Sequence, residues 1–232
     1  MIHNRVNGRK TNVRITDIDA YFFFTAFVIW LLFPNWWGRF HMFSRSRKAM
    51  KVTKHHMELF QIELGYMSSE RFPLEVAEFI HSQHPYIPMF FLKIIIENFK
   101  IEPEKFTIGI LNEMPDIYYE GQLFLVDLME SIVMGMLVAI VASENHIEPV
   151  SDWQINAIAE AKKLPEFEIP VAEGGTRRAL SPDFRLEMLS IFKEHAGEFL
   201  RSTSNVGAAY QLGLWCYGTS PHFYYQLMAA RY

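Results

Sequence analysis

The chain has 232 residues, of which 50% are hydrophobic and 15% aromatic, and its formal net charge is −4. This length can hold one domain with an appendage, and the apolar content excludes a disordered or low-complexity protein. The charge is unevenly divided: residues 1–54 hold ten Lys and Arg against two Asp, whereas residues 55–232 hold twelve against twenty-four Asp and Glu. The sequence therefore describes a basic N-terminal part joined to an acidic body.

An uncharged apolar segment, AYFFFTAFVIWLLFPNWW, occupies residues 20–37. Its 18 residues lie near the lower end of the roughly 17–25 that a membrane-spanning helix needs. Tyr and Trp lie towards its two ends, where such rings settle at membrane interfaces. We therefore expect residues 20–37 to be a single transmembrane anchor, preceded by a basic N-terminal tail over residues 1–19. A core or interfacial helix is the alternative.

A basic cluster follows the predicted anchor and consists of Arg45, Arg47, Lys48, Lys51 and Lys54. Polybasic segments beside an anchor attract anionic lipid headgroups, so we expect these side chains to contact the membrane surface and residues 20–54 to bind lipids. More cations follow the apolar segment than precede it, which places the C-terminal body in the cytoplasm. Nucleic acid is not an expected partner, because the positive charge brackets an apolar segment instead of lining a folded face.

Beyond the anchor, apolar residues recur with a period near 3.6, which predicts helices. A basic juxtamembrane helix over residues 38–66 enters an acidic helical domain over residues 67–232, with one long loop over residues 165–180. Within this body, Pro73 and His84-Pro85 predict a helix over Leu74–Gln83. The predicted fold class is all-α, with an N-terminal single transmembrane helix followed by a cytoplasmic multi-helix bundle.

Gly121–Ser143 is the second most apolar segment. Its Asp127 and Glu130 would each cost roughly 2–3.5 kcal/mol near the centre of a bilayer. We therefore expect this segment to be the buried central helix of the body, with a second membrane span as the alternative. The two carboxylates are expected to form a polar edge or an internal ion pair.

Residues 125–167 resemble the helical hairpin of the TerB-like domain, which is also found in membrane-anchored DnaJ-like proteins. Ser143, Glu144 and Asn145 stand where that family has an Ala-Asp-Gly turn, and Ser151-Asp152 stands near the acidic start of its second helix. The basic stretch Ser44–Lys48 after an N-terminal anchor is similar to the same DnaJ-like proteins. The resemblance implies a helical module at a membrane. The HPD tripeptide of a J domain is absent, so no chaperone-recruiting activity is implied.

Few residues suggest chemistry. Glu78 and His81 have the Glu-x-x-His spacing of di-iron bundles, but the chain contains no second copy of that motif. Arg177 and Arg178 follow a Gly-Gly pair, and we expect this basic loop to contact an acidic partner. The single cysteine, Cys216, lies in an apolar run that predicts a buried side chain and no nucleophile.

These observations favour a membrane-anchored adaptor or accessory subunit of a larger membrane complex, with lipids and other protein subunits as partners. No catalytic residue, cofactor, metal ion or small-molecule substrate is predicted. Two alternatives stay open: a metal-dependent helical-bundle enzyme that uses Glu78 and His81, and a soluble helical subunit whose apolar N-terminal segment docks into a partner.

Overall fold

The computed structural model describes residues 9, 11–43, 51–176 and 179–218, and it is mixed α/β. The helices are Ala20–Leu32 (α1), Lys54–Met67 (α2), Leu74–Gln83 (α3), Met89–Asn98 (α4), Leu123–Val126 (α5), Met129–Glu144 (α6), Trp153–Phe167 (α7), Pro182–Ala196 (α8) and Val206–Leu212 (α9). The strands are Trp37–Phe43 (β1), Phe106–Leu111 (β2), Met114–Gln122 (β3), Val171–Glu173 (β4), Leu200–Thr203 (β5) and Trp215–Cys216 (β6). The predicted all-α fold is therefore wrong.

One sheet is antiparallel, in the order β1-β3-β2. Along β3, residues on one face are buried while their neighbours are more exposed, the period of two expected of a half-buried strand. Asn112 and Glu113 form the β2-β3 turn with φ of 54° and 61°, which suits the right-handed twist of a hairpin. The sequence predicted helix over residues 38–66 and an all-helical domain over residues 67–232. The structure instead has β1 within the first region and β2 within the second.

The predicted anchor is also wrong, because α1 ends at Leu32 and β1 begins at Trp37. A helix of 13 residues is about 20 Å long, short of the roughly 30 Å of a bilayer's hydrocarbon core. One face of α1 is buried in the protein, where the Phe23 ring lies 5.3 Å from that of Phe72. The cellular location stays a prediction, as do the boundaries after residues 19, 37 and 66.

The second apolar segment lies inside the protein. Among the described residues, Leu123–Glu144 is the helical region long and apolar enough to cross a membrane by length and composition, and 78% of its most apolar window is buried. Burial of this kind is typical of a core helix. It agrees with the prediction that this segment is the central helix of the body.

Asp127 lies between α5 and α6 and is 5% exposed. Its Oδ2 atom is buried and has no hydrogen-bond partner among the described residues. Burial, and to a smaller extent the charge of Glu130, raise the pKa of Asp127 well above its usual value. The expected polar edge is therefore absent at this position, and the fold favours a neutral carboxyl group instead.

We predict that Asp127→Asn stabilises the protein increasingly as pH rises. Because the folded-state pKa is raised, ionisation of Asp127 does not affect stability below its unfolded pKa of about 3.9. Above that pH the protein loses about 1.4 kcal/mol of stability per pH unit until the folded pKa is reached. Asn does not titrate and escapes this loss. Urea unfolding at pH 4, 5, 6 and 7 measures the difference, with the exposed Glu166→Gln as control. A stability difference that is the same at all four pH values would contradict the prediction.

The second sheet is parallel, in the order β4-β5-β6. The outer edge of β6 is paired by side chains from the end of α3. The Gln83 amide donates to Leu214 O (3.3 Å) and accepts from Cys216 N (2.6 Å), and the His84 ring nitrogen Nε2 lies 2.6 Å from Cys216 O. These contacts satisfy backbone groups that would otherwise need another strand.

Candidate active site

The carboxyl ends of the three parallel strands meet at one edge of the sheet. Glu173 ends β4 and leads into Gly174-Gly175-Thr176, whereas Ser204 and Asn205 follow β5. In α/β proteins, ligands bind in the crevice outside the carboxyl ends of such strands. This edge of the sheet is therefore the expected location of a binding site.

An N-terminal strap, residues 11–19, lies across this edge. Its backbone pairs with the segment after β5, through Val206 N to Ile18 O (2.9 Å) and Gly207 N to Thr16 O (3.0 Å). A Cβ atom on Gly207 would lie 2.7 Å from Thr16 Oγ1, so this close approach requires glycine. The strap thus brings its polar side chains onto the carboxyl edge.

Asp17 of the strap forms a buried ion pair with Arg185 of α8. Arg185 Nη2 lies 2.8 Å from Asp17 Oδ1, and the two side chains are 3% and 9% exposed. Asp17 Oδ1 also accepts from Asn205 Nδ2 (3.1 Å), and Arg14 N donates to Asp17 Oδ2 (2.8 Å). Arg185 Nη1 donates to Thr176 O (3.0 Å), while Arg185 Nε is buried without a partner among the described residues.

Asp19 forms the second centre of this network. Its Oδ1 accepts from Ser204 Oγ (2.5 Å) and its Oδ2 from Ser131 Oγ of α6 (3.0 Å). Ser204 Oγ in turn lies 3.2 Å from Thr176 Oγ1. Asp19 is therefore held by α6 and by the segment after β5, and the loop after β4 reaches it through Ser204.

Glu173 holds the start of the loop after β4. Its Oε2 accepts from Thr203 Oγ1 (2.5 Å), its Oε1 accepts from Gly175 N, and its backbone oxygen accepts from Ser204 N (2.8 Å). Together with the bond from Arg185 to Thr176, these contacts fix the loop as far as Thr176.

Two small clefts open beside the network, with about 230 and 210 Å³ of empty space. Much of that space is open solvent, and each cleft has enclosed room for about one water molecule, far less than the roughly 300–1,000 Å³ of typical small-molecule sites. The residues that line the first are Val13, Asp17, Ser131, Gly135, Thr176, Ala179, Ser181, Pro182 and Arg185. The described residues therefore supply polar, preorganised groups, but the clefts beside them are too small to hold a small-molecule ligand.

The structure does not bring the predicted metal ligands together. No group of three or more His, Cys, Asp or Glu that could hold a metal ion is present among the described residues. His81 Nδ1 lies 2.9 Å from Ile87 O, a backbone contact within the fold. The predicted alternative of a metal-dependent helical bundle that uses Glu78 and His81 is not supported.

The predicted contact residues stay predictions. Arg45, Arg47, Lys48, Arg177 and Arg178 lie outside the described residues. Lys51 is exposed and lies 2.6 Å from Glu113 Oε2, and the exposed Lys54 lies 3.8 Å from Glu58 Oε1.

Cys216 is buried, as predicted. Burial, with a smaller contribution from the charge of Asp19, raises the pKa of its thiol to about 12. The thiol is therefore protonated at neutral pH, which fits a packing role and does not fit a nucleophile.

Sequence reasoning missed Asp17, Asp19, Arg185, Ser204 and Asn205. The available signals were the two aspartates immediately before the apolar run of α1, and the polar Ser-Thr-Ser-Asn stretch that begins at residue 202. Neither pattern is specific, because the partners are separated by 168 to 188 residues along the chain.

Comparison with known proteins gives a consistent picture. No family model matches the chain. Nicotinate phosphoribosyltransferase of Chromobacterium violaceum is 22% identical over 238 residues, which cover 93% of the chain and 56% of that protein. The crystal structure of nicotinate phosphoribosyltransferase from Porphyromonas gingivalis matches 94% of the chain with a TM-score of 0.85 and 29% identity, over 56% of its own length.

Two further crystal structures share the fold. The Vibrio cholerae nicotinate phosphoribosyltransferase matches 98% of the chain and 56% of its own length, with a TM-score of 0.81 and 20% identity. A putative nicotinate phosphoribosyltransferase from Saccharomyces cerevisiae matches 90% and 54%, with a TM-score of 0.77 and 22% identity. The chain thus spans about half the length of the relatives that it matches.

These likenesses correct the remaining predictions. The resemblance of residues 125–167 to a TerB-like domain is wrong, since α7 packs against α8 in a mixed α/β fold shared with phosphoribosyltransferases. The same comparisons contradict the functional predictions, because the relatives are enzymes that act on small molecules. The predictions concerned are the adaptor function, the docking helical subunit, the preference for a protein that is not an enzyme, and the absence of a small-molecule substrate.

We predict that Gly207→Ala destabilises the protein by about 1–3 kcal/mol, as overpacking does, because the new methyl group meets Thr16 of the strap. Gly65→Ala in α2 is the matched control. A Cβ there meets nothing within 4 Å, so the same substitution should stabilise by roughly 0.5–1 kcal/mol. Urea unfolding measures both variants, and equal effects of the two would contradict the close contact.

Proposed function

We propose that the protein is an enzyme of the nicotinate phosphoribosyltransferase type, which transfers a phosphoribosyl group to nicotinate. The observation that carries the proposal is the likeness to the Porphyromonas gingivalis enzyme, with a TM-score of 0.85 and 29% identity over 94% of this chain. Because the chain spans 56% of that enzyme, the activity and both substrates belong to the proposal.

The geometry of the carboxyl edge supports an enzymatic role. Burying charged and hydroxyl groups is costly unless each finds a partner, and Asp17, Asp19 and Arg185 are all held by specific hydrogen bonds. A stable core alone is achieved more cheaply with apolar side chains. Preorganised polar groups at a strand edge are what a site for a polar substrate requires.

Both proposed substrates are anionic, since nicotinate has a carboxylate and the phosphoribosyl donor has phosphates. Asp17 and Asp183 accompany Arg14 and Arg185 around the second cleft, so the positive charge there is offset. The chain continues from the fixed Thr176 into Arg177 and Arg178. We propose that these two guanidinium groups contact the anionic substrate, which gives the predicted basic loop a chemical partner.

The direct test incubates the purified protein with nicotinate and phosphoribosyl pyrophosphate and follows nicotinate mononucleotide by liquid chromatography. We expect product formation, and calorimetric binding of both substrates. Nicotinamide, which lacks the carboxylate, is the control ligand and should bind more weakly. A folded protein that binds neither substrate and forms no product would refute the proposed function.

The loop is tested by the double variant Arg177→Ala and Arg178→Ala. Removing two cations that contact phosphate should weaken binding of phosphoribosyl pyrophosphate by at least about tenfold, the equivalent of about 1.4 kcal/mol. The affinity for phosphoribosyl pyrophosphate should also depend less on the salt concentration. Lys162→Ala with Lys163→Ala, an equal loss of charge on the exposed surface of α7, is the control. Equal affinities of the two double variants would remove the loop from the site.

A further inference from the structure

We infer that Arg185 is a positioning residue of the proposed phosphoribosyltransferase site. It fixes the loop after β4 at Thr176, and through that loop it controls binding of the anionic substrate. The inference rests on the proposed function for its substrate, whereas its structural part stands on the contacts of Arg185 alone.

The place of Arg185 is electrostatically unfavourable. Ser181 caps α8 and Pro182 is its first residue, so Arg185 lies in the first turns, where the helix dipole favours negative charge. The side chain is also almost fully buried, at 3% exposed. The pairing with Asp17 offsets these costs, because without Arg185 the buried carboxylate of Asp17 would lose its counter-ion.

Those contacts join three separate segments of the chain. One arm of the guanidinium donates to Asp17 of the strap and the other to the backbone oxygen of Thr176, at 2.8 and 3.0 Å. Thr176 is the last described residue before the Arg177-Arg178 pair. The planar fork of Arg reaches both partners at once, which a single ammonium group does not do.

The rest of the loop depends on the same anchor. Gly175 N is bound by Glu173, and Ala179 N donates back to Gly175 O (3.2 Å). These short-range bonds shape the loop but do not attach it to the strap. Arg185, together with the contact of Thr176 with Ser204, makes that attachment, so losing Arg185 should free the loop without unfolding β4.

Three variants separate positioning from stability. Arg185→Met removes both bonds, and Arg185→Lys keeps a cation beside Asp17 but loses the fork. Leu189→Ala, one turn further along α8 and 1% exposed, should destabilise the same helix while leaving both bonds of Arg185 intact. Unfolding midpoints, amide hydrogen exchange of Gly175 and Ala179, and affinity for phosphoribosyl pyrophosphate are measured for each.

We expect exchange at Gly175 and Ala179 to rise about 10- to 100-fold in Arg185→Met, and affinity to fall about tenfold, the range for a lost hydrogen bond from a charged donor. In Arg185→Lys, stability should be partly restored while exchange and affinity stay impaired. Leu189→Ala should lower the midpoint without either change. The inference is overturned if Leu189→Ala raises loop exchange as much as Arg185→Met, or if Arg185→Lys restores loop protection together with stability.

Failure of the proposed function is distinguishable from failure of this inference. If the wild-type protein binds no phosphoribosyl pyrophosphate, the substrate assignment fails, whereas the exchange rates still decide whether Arg185 fixes the loop. Should Arg185→Met not fold, Arg185→Lys against Leu189→Ala gives the same comparison. Unchanged exchange in every foldable Arg185 variant refutes the positioning role.

Discussion

The buried ion pair between Asp17 and Arg185 is the constraint on which the candidate site depends. Two charges removed from water repay their desolvation only when the remaining donors and acceptors are also satisfied. Asp17 meets this condition through Arg14 N and Asn205, and Arg185 meets it in part through Thr176. Removing either partner would leave a buried, unpaired charge. The strap, helix α8 and the strand ends must therefore keep their positions relative to one another.

The strap packs into one of two hydrophobic cores. Its Val13, Ile15 and Ile18 belong to the large core that contains one face of α1 and most of α6. A smaller core, built from Leu189, Leu200, Ala208 and Leu214, lies under the parallel sheet. Asp17 lies on the strap, and Arg185 lies on α8, which supplies Leu189 to the smaller core. The polar network is therefore held by elements of both cores, which gives a site on short strands the rigidity of a packed interior.

Sequence reasoning succeeded where local chemistry decides the structure. The helix over Leu74–Gln83 has the predicted bounds, and Cys216 is buried as predicted. It failed over residues 20–37, because an uncharged apolar run satisfies a bilayer and a protein core equally, and only the partners that cover one face of α1 distinguish them. Strands of two to four residues, such as β4 to β6, are also too short to show a period of two.

The site escaped sequence analysis for a related reason. Its groups come from the strap, α6, the loop after β4, α8 and the turn after β5, and each is an ordinary Ser, Thr, Asp, Asn or Arg when viewed locally. Their chemistry depends on burial, because the buried Asp17 and Arg185 pair with each other and neutralise each other's charge. A buried pair of this kind has little net field to offer an anionic substrate. Positive charge for the proposed anionic substrate must therefore come from groups that the network positions and does not neutralise, so the geometry of the network matters more than its charge.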